Sequence, residues 1–221
     1  MLAGLLFLIT YLTSIPPKVA LYTPLDADYI VGAGADTQVL WGAFLEVTLI
    51  IANVGTAVVL FRVLKRQNER LALAFVAARI MESVFIAVGI LSVLSIVSLR
   101  HDFGGASGAD ATALGTVGQA LVVLHDWTFS LGPGFVVGVG NGIILGYLMY
   151  RSGLVPRGMA VLGLIGGSLI CASGAAVMFD IIQPDSAPLL LASVPEFFWE
   201  LSLGIYLVVK GFKPSAITAG A

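Results

Sequence analysis

Residues 71–99 read LALAFVAARIMESVFIAVGILSVLSIVSL, and Arg79 and Glu82 are the only charged side chains in that run. A helix needs roughly 20 mostly apolar residues to cross a hydrocarbon core of about 30 Å. The strands of a membrane barrel would instead alternate over segments of about ten residues. This run does neither alternate nor stop at ten, so it reads as a membrane-spanning helix. Working outward, five further runs of the same kind occupy residues 1–21, 39–61, 130–150, 157–179 and 191–212. The composition agrees. Of 221 residues, 58% are hydrophobic and 11% charged, and the mean hydropathy is +1.01. A soluble domain is about 25% charged, so these charges could not coat a water-facing surface. Soluble, disordered and collagen-like chains are thereby excluded. With 11 basic against 13 acidic residues and no basic stripe, so is a nucleic-acid binder. The single cysteine, Cys171, rules out a disulfide framework and a cysteine-based zinc site.

The expected architecture is all-α: one domain over residues 1–221, a polytopic membrane protein built as a bundle of six transmembrane helices. Eight of the eleven basic residues fall on one side: Arg62, Lys65, Arg66, Arg70, Arg151, Arg157, Lys210 and Lys213. The opposite loops carry Asp26, Asp28, Asp36, Asp102, Asp110 and Asp185, with only Lys18 and Arg100. The positive-inside rule then puts both termini in the cytoplasm. Span one lacks the basic start and cleavage site of a secretory signal. Pro16-Pro17 should kink or end it, because proline removes a backbone donor and crowds the preceding turn, and Lys18 should snorkel to the outer interface.

The outer loop after span three starts polar and glycine-rich, and then a further helix is expected over 111–129, with Asp110 as its cap. Joined to span four it would measure about 60 Å, too long for one crossing. Pro133 is therefore expected to separate an extra outer interfacial or re-entrant helix from span four. Within span four, Gly134, Gly138, Gly142 and Gly146 recur every four residues, and span five adds Gly163 and Gly167. Such a smooth face lets helix backbones approach closely. It can serve packing inside one subunit or, alternatively, a homodimer or partner-subunit seam.

Charges inside apolar spans are costly and mark candidate sites. Arg79 and Glu82 share a face of span three, Glu196 and Glu200 share one on span six, and Glu46 and Asn53 share one on span two. A pocket lined by Glu46, Arg79, Glu82, Asn141 and Glu200, with His125, Asp126, Asp180 and Glu196 at its rim, is the candidate ligand site. Its depth estimate sets Glu46 and Glu200 level, about 12 Å below the outer edge. Four glutamates against one arginine leave an excess of negative charge, which protons or a cation must balance. The structural alternative is a bracket in which Arg79 ties spans together through Glu82. Glu196 also fits a lipid-facing residue with no common site. No metal-ligand spacing links the two histidines to the glutamates, so no metal site is assigned and any cofactor is unknown.

Three stretches carry a resemblance: Ala3-Gly4-Leu5-Leu6-Phe7-Leu8-Ile9-Thr10, the run from Leu145 through Tyr150-Arg151-Ser152-Gly153 to Arg157, and the run from Trp199-Glu200 through Gly204 to Phe212. Together they resemble the bacterial integral-membrane family known as domain-of-unknown-function family 4386, over nearly the whole chain. The resemblance implies a six-helix protein of the bacterial inner membrane, with no established activity and no catalytic residues to carry over. Members carry a basic lead before the first span, whereas this chain begins at Met1-Leu2, which implies a shortened start. Three functional classes remain: binding or transport of a proton, cation or small cationic or amphipathic molecule; a membrane-embedded enzyme acting on a lipophilic substrate through His125, Asp126 and the glutamates; or an accessory subunit docking through its glycines. The reading favours the first. Membrane lipids are the other expected contact.

Overall fold

The computed structural model describes residues 1–25, 29–32, 35–184 and 186–215. Asp26, Asp28 and Asp185, counted above among the acidic loop residues, lie outside the described residues. Among those described there is no strand. The helices are α1 (Leu2–Pro16), α2 (Asp36–Leu64), α3 (Glu69–Phe103), α4 (Ala109–Phe129), α5 (Gly146–Ser152), α6 (Arg157–Met178) and α7 (Ala187–Val209). Wide π-wound segments, Ser130–Val136 and Gly138–Leu145, lead α4 into α5, and a third, Pro17–Leu21, extends α1. Six of the resulting helical stretches are long and apolar enough to cross a membrane.

Local chemistry explains the boundaries. The Asn68 side chain accepts a hydrogen bond from the Leu71 amide at 3.0 Å and caps α3. Glu69 in its first turn and Arg100 in its last suit the helix dipole. Gly153, with φ 64°, takes the left-handed position that ends α5. Pro188 stands in the first turn of α7, where its missing N–H costs nothing.

Both proline expectations resolve in the same way. Pro16-Pro17 ends the α-winding of α1, but the chain continues as the π segment to Leu21. Pro133 likewise re-winds the chain instead of breaking it: α4 is the extra helix before span four, and it runs without a turn into the π segments. A proline cannot donate the i→i−4 bond and clashes with that carbonyl. Bonding to i−5 is the local adjustment that keeps such a helix continuous.

The helices form a closed ring in chain order. Each of α1, α2, α3, the π segments of span four, α6 and α7 packs against the next, and α7 returns to α1. The outer surface is apolar (Ile51, Leu91 and Leu191 are each about two-thirds exposed), whereas Glu46, Asn53, Arg79, Glu82, Asn141 and Glu196 are buried. Apolar outside and charged inside is the distribution a hydrocarbon solvent selects. The 35 residues of α3 measure about 52 Å, well beyond one bilayer core. Its last turns pack with α4 and with Tyr29, Ile30 and Val39 as an apolar cluster at the acidic end.

Three of the four span-four glycines meet α6 within the same chain. A Cβ on Gly142 would strike the Gly167 backbone and Glu196, and one on Gly138 would meet Cys171 Sγ and Gly167 O. A Cβ on Gly146 would stand 3.2–3.4 Å from the backbone of Leu164, Ala160 and Gly163. The intrachain packing role is the observed one. α6 occupies the groove at Gly138, Gly142 and Gly146. Gly134 meets only its own turn, at Phe129 O.

Candidate functional site

Buried polar groups occupy two levels along the bundle axis. The central level starts from the antiparallel pairing of α2 and α3. Asn53 Nδ2 donates to Glu82 Oε1 at 2.9 Å, and Arg79 Nη1 donates to Glu82 Oε2 at 2.7 Å. Arg79 Nη2 donates to Asn53 Oδ1 and, at 3.3 Å, to Thr56 Oγ1. Arg79, Glu82 and Asn53 thus close a ring of hydrogen bonds. The guanidinium also stands 6.0 Å from the Phe7 ring of α1. Both Nη groups of the guanidinium and both Glu82 oxygens are bonded, while Arg79 Nε is buried without a partner. Removing one member of such a buried pair leaves an uncompensated charge.

Across the bundle, Asn141 Nδ2 donates to Glu200 Oε1, and Trp199 Nε1 donates to the Asn141 carbonyl at 3.0 Å. Asn141 belongs to the π segment Gly138–Leu145, a winding that recurs at functional sites. Glu200 lies within electrostatic reach of both Glu82 and Arg79. Its neighbour one turn up, Glu196, is only 3% exposed. Both of its carboxylate oxygens are buried without a hydrogen-bond partner, as is Asn141 Oδ1. The glycines of α6 and span four explain how a carboxylate came to be there. A Cβ on Gly166 would stand 2.7 Å from Glu196 Cα, and one on Gly142 2.7 Å from Glu196 Oε2. Glu196 is therefore enclosed and not lipid-facing: close helix approach at two glycines draws it inside.

The second level lies two turns away, about 10 Å by helical rise, and belongs to Glu46. Tyr22 Oη donates to Glu46 Oε2 at 2.7 Å, and His125 Nε2 lies 3.7 Å from Glu46 Oε1. The other ring nitrogen, Nδ1, lies 3.7 Å from Asp126 Oδ1. Glu46 and Glu200 thus take different levels, not the common one expected from span length. The direct partners of Glu46 are Tyr22 and His125, whereas Glu200 bonds to Asn141. Asp180 is exposed, with φ 56°, in the turn after α6, where it accepts from Gln183 Nε2 at 3.0 Å.

Nearer the acidic end, Asp36 gathers Tyr29 Oη at 2.6 Å, Arg100 Nη1, and His101 Nε2 at 3.0 Å. Arg100 also donates to Gly32 O at 3.1 Å and stacks on the Tyr29 ring. Burial first, then the bond to Asp36, push the Tyr29 hydroxyl up to about 12. Sequence reasoning missed Tyr22, Thr56 and this latch. Thr56 was within reach, since it follows Asn53 by three residues on one helix face. Tyr22 was not, because its position depends on how the chain turns after Pro17.

A family model described as a domain of unknown function, DUF4386, matches residues 2–211. That is nearly the whole chain, and the protein belongs to this family. No curated protein and no solved structure matches it.

Proposed function

We propose that this DUF4386 member is a multi-pass protein of a bacterial inner membrane that binds or transports a proton or small cation at its central carboxylates. The basic loop ends face the cytoplasm in this reading, by the positive-inside rule. The supporting observation is the Glu196 side chain, buried with neither oxygen bonded; Asn141 Oδ1 is in the same state. These are acceptors without donors. Arg79, the cation of this level, gives both Nη groups to Glu82, Asn53 and Thr56. An unpaired carboxylate in low dielectric is stable only when a proton or cation neutralises it. Hard cations take oxygen ligands of this kind. A docking role for the glycine ladder has less support, since α6 fills three of its four positions.

The test uses purified protein in sealed liposomes, with sodium, potassium, an imposed proton gradient and a cationic dye as separate probes. Wild type should move or retain one of them. Glu196→Gln and Glu200→Gln should each lower that signal at least tenfold while folded yield stays unchanged. Full uptake by both variants would overturn the reading.

A further inference from the structure

We infer that His125 is a proton-exchange station at the acidic end of the bundle, passing protons between the exposed Asp126 and the buried Glu46. The inference deepens the proposal above by naming the proton as what this end of the molecule handles. Its geometry stands apart from the central carboxylates.

One imidazole faces two carboxylates through its two different nitrogens. Nδ1 lies 3.7 Å from Asp126 Oδ1, and Nε2 lies 3.7 Å from Glu46 Oε1. The Asp126 side chain is 72% exposed and that of Glu46 only 7%, with His125 between them at 12%. Tyr22 Oη occupies the other Glu46 oxygen, Oε2, which leaves Oε1 for the imidazole. The Tyr22 ring meets the imidazole edge-on, with centroids 5.0 Å apart.

Two glycines make the room. A Cβ on Gly42, one turn from Glu46, would stand 2.9 Å from Tyr22 Cζ. A Cβ on Gly89 of α3 would stand 2.6 Å from Thr128 Oγ1 and 3.3 Å from His125 Cδ2. The ionisable groups around the ring are thus Tyr22 from the turn after α1, Glu46 from α2 and Asp126 from α4. α3 offers Gly89 there, and Lys18 stands on the same rim over the Phe129 ring. Ala43, Leu49, Ile86 and Ile90 form an apolar cluster, of which Leu49 and Ile86 lie on the central side. In the pairing of α2 with α3, Leu49 and Ile86 lie between Glu46 and the Asn53–Glu82 level, and the station opens to Asp126.

The step is a plain proton transfer. A proton reaches Nδ1 from the Asp126 side, the Nε2 proton passes to Glu46 Oε1, and the ring is left as the other neutral tautomer. The reverse sequence, or a ring flip, restores it. Separations of 3.7 Å are closed by a small side-chain shift or one bridging water. Histidine suits the role because each nitrogen can hold or yield the proton.

Histidine-selective ¹⁵N NMR of the intact protein tests this, since the chain has two histidines and His101→Gln assigns the signals. The ¹⁵N shifts report which nitrogen carries hydrogen. Glu46→Gln should move the His125 proton population toward Nδ1, and Asp126→Asn should move it toward Nε2. Opposite displacements of at least twofold in tautomer ratio are expected. Tyr22→Phe, which frees the second Glu46 oxygen, gives a third variant should Glu46→Gln fold poorly, and it should also change the ratio. The same direction for Glu46→Gln and Asp126→Asn, or no displacement in the variants that fold, overturns the inference. The readout needs no transport, so its failure is distinct from that of the central-site proposal.

Discussion

Asn53 and Glu82 meet across α2 and α3 through a 2.9 Å hydrogen bond, and that contact sets the register of everything above and below it. One turn toward the basic end, Thr56 faces Arg79; one turn the other way, Leu49 packs with Ile86. Two turns away, Glu46 lies level with Gly89, the residue whose missing side chain admits His125. Two polar levels and the apolar layer between them follow from one antiparallel pairing.

Removing the charge that closes the central ring should be severe. Arg79→Met leaves Glu82 buried and uncompensated, a change that costs about 3–5 kcal/mol in comparable pairs. The double variant Arg79→Met, Glu82→Met should recover most of that loss. Unfolding in detergent measures both. A single variant as stable as wild type would show that the ring adds no cohesion.

Glu196 should behave in the opposite way. Its oxygens have no partner, so Glu196→Leu removes a desolvation cost and should raise stability by about 1–3 kcal/mol while abolishing the probe signal in liposomes. Stability bought by surrendering function is the recurrent pattern at sites kept for activity. A destabilised but fully active Leu variant would place Glu196 in the scaffold instead.

The glycine face gives a contrast along one span. Gly142→Ala drives a methyl into Gly167 and Glu196, and overpacking of this kind costs about 1–3 kcal/mol. Gly134→Ala meets only Phe129 O at 3.6 Å, and should be neutral or stabilising by up to about 1 kcal/mol through backbone entropy. Thermal unfolding of the two variants in the same detergent checks the order.

The Asp36 latch predicts an alkaline limit. The Tyr29 hydroxyl is held protonated up to about 12 in the folded chain, against about 10 when free. Its contribution is therefore complete below pH 10 and is lost as pH rises from 10 to 12. Tyr29→Phe should be less stable than wild type at pH 8, and the gap should narrow by pH 12. Melting temperatures across that range decide it.

Much of the fold was legible in the residues. Long apolar runs gave the six spans, since only uninterrupted helices satisfy every backbone group in hydrocarbon. Helical spacing paired Arg79 with Glu82 and singled out the glycines of span four. Partner choice for each carboxylate was not legible. Span length put Glu46 and Glu200 level, and the residues left Glu196 between a pocket rim and a lipid-facing place, yet Glu46 answers to Tyr22 and His125, and Glu196 is enclosed.

By itself, then, the sequence determined the all-helical, apolar architecture and the faces on which charges lie, because hydropathy and the 3.6-residue period are local properties of the chain. Only the tertiary structure decided which acids are satisfied and which are left bare. That depends on how closely α6 approaches its neighbours at Gly142, Gly166 and Gly167, and on where the turn after Pro17 delivers Tyr22. Both are distances between helices, and no single helix carries them in its own residues.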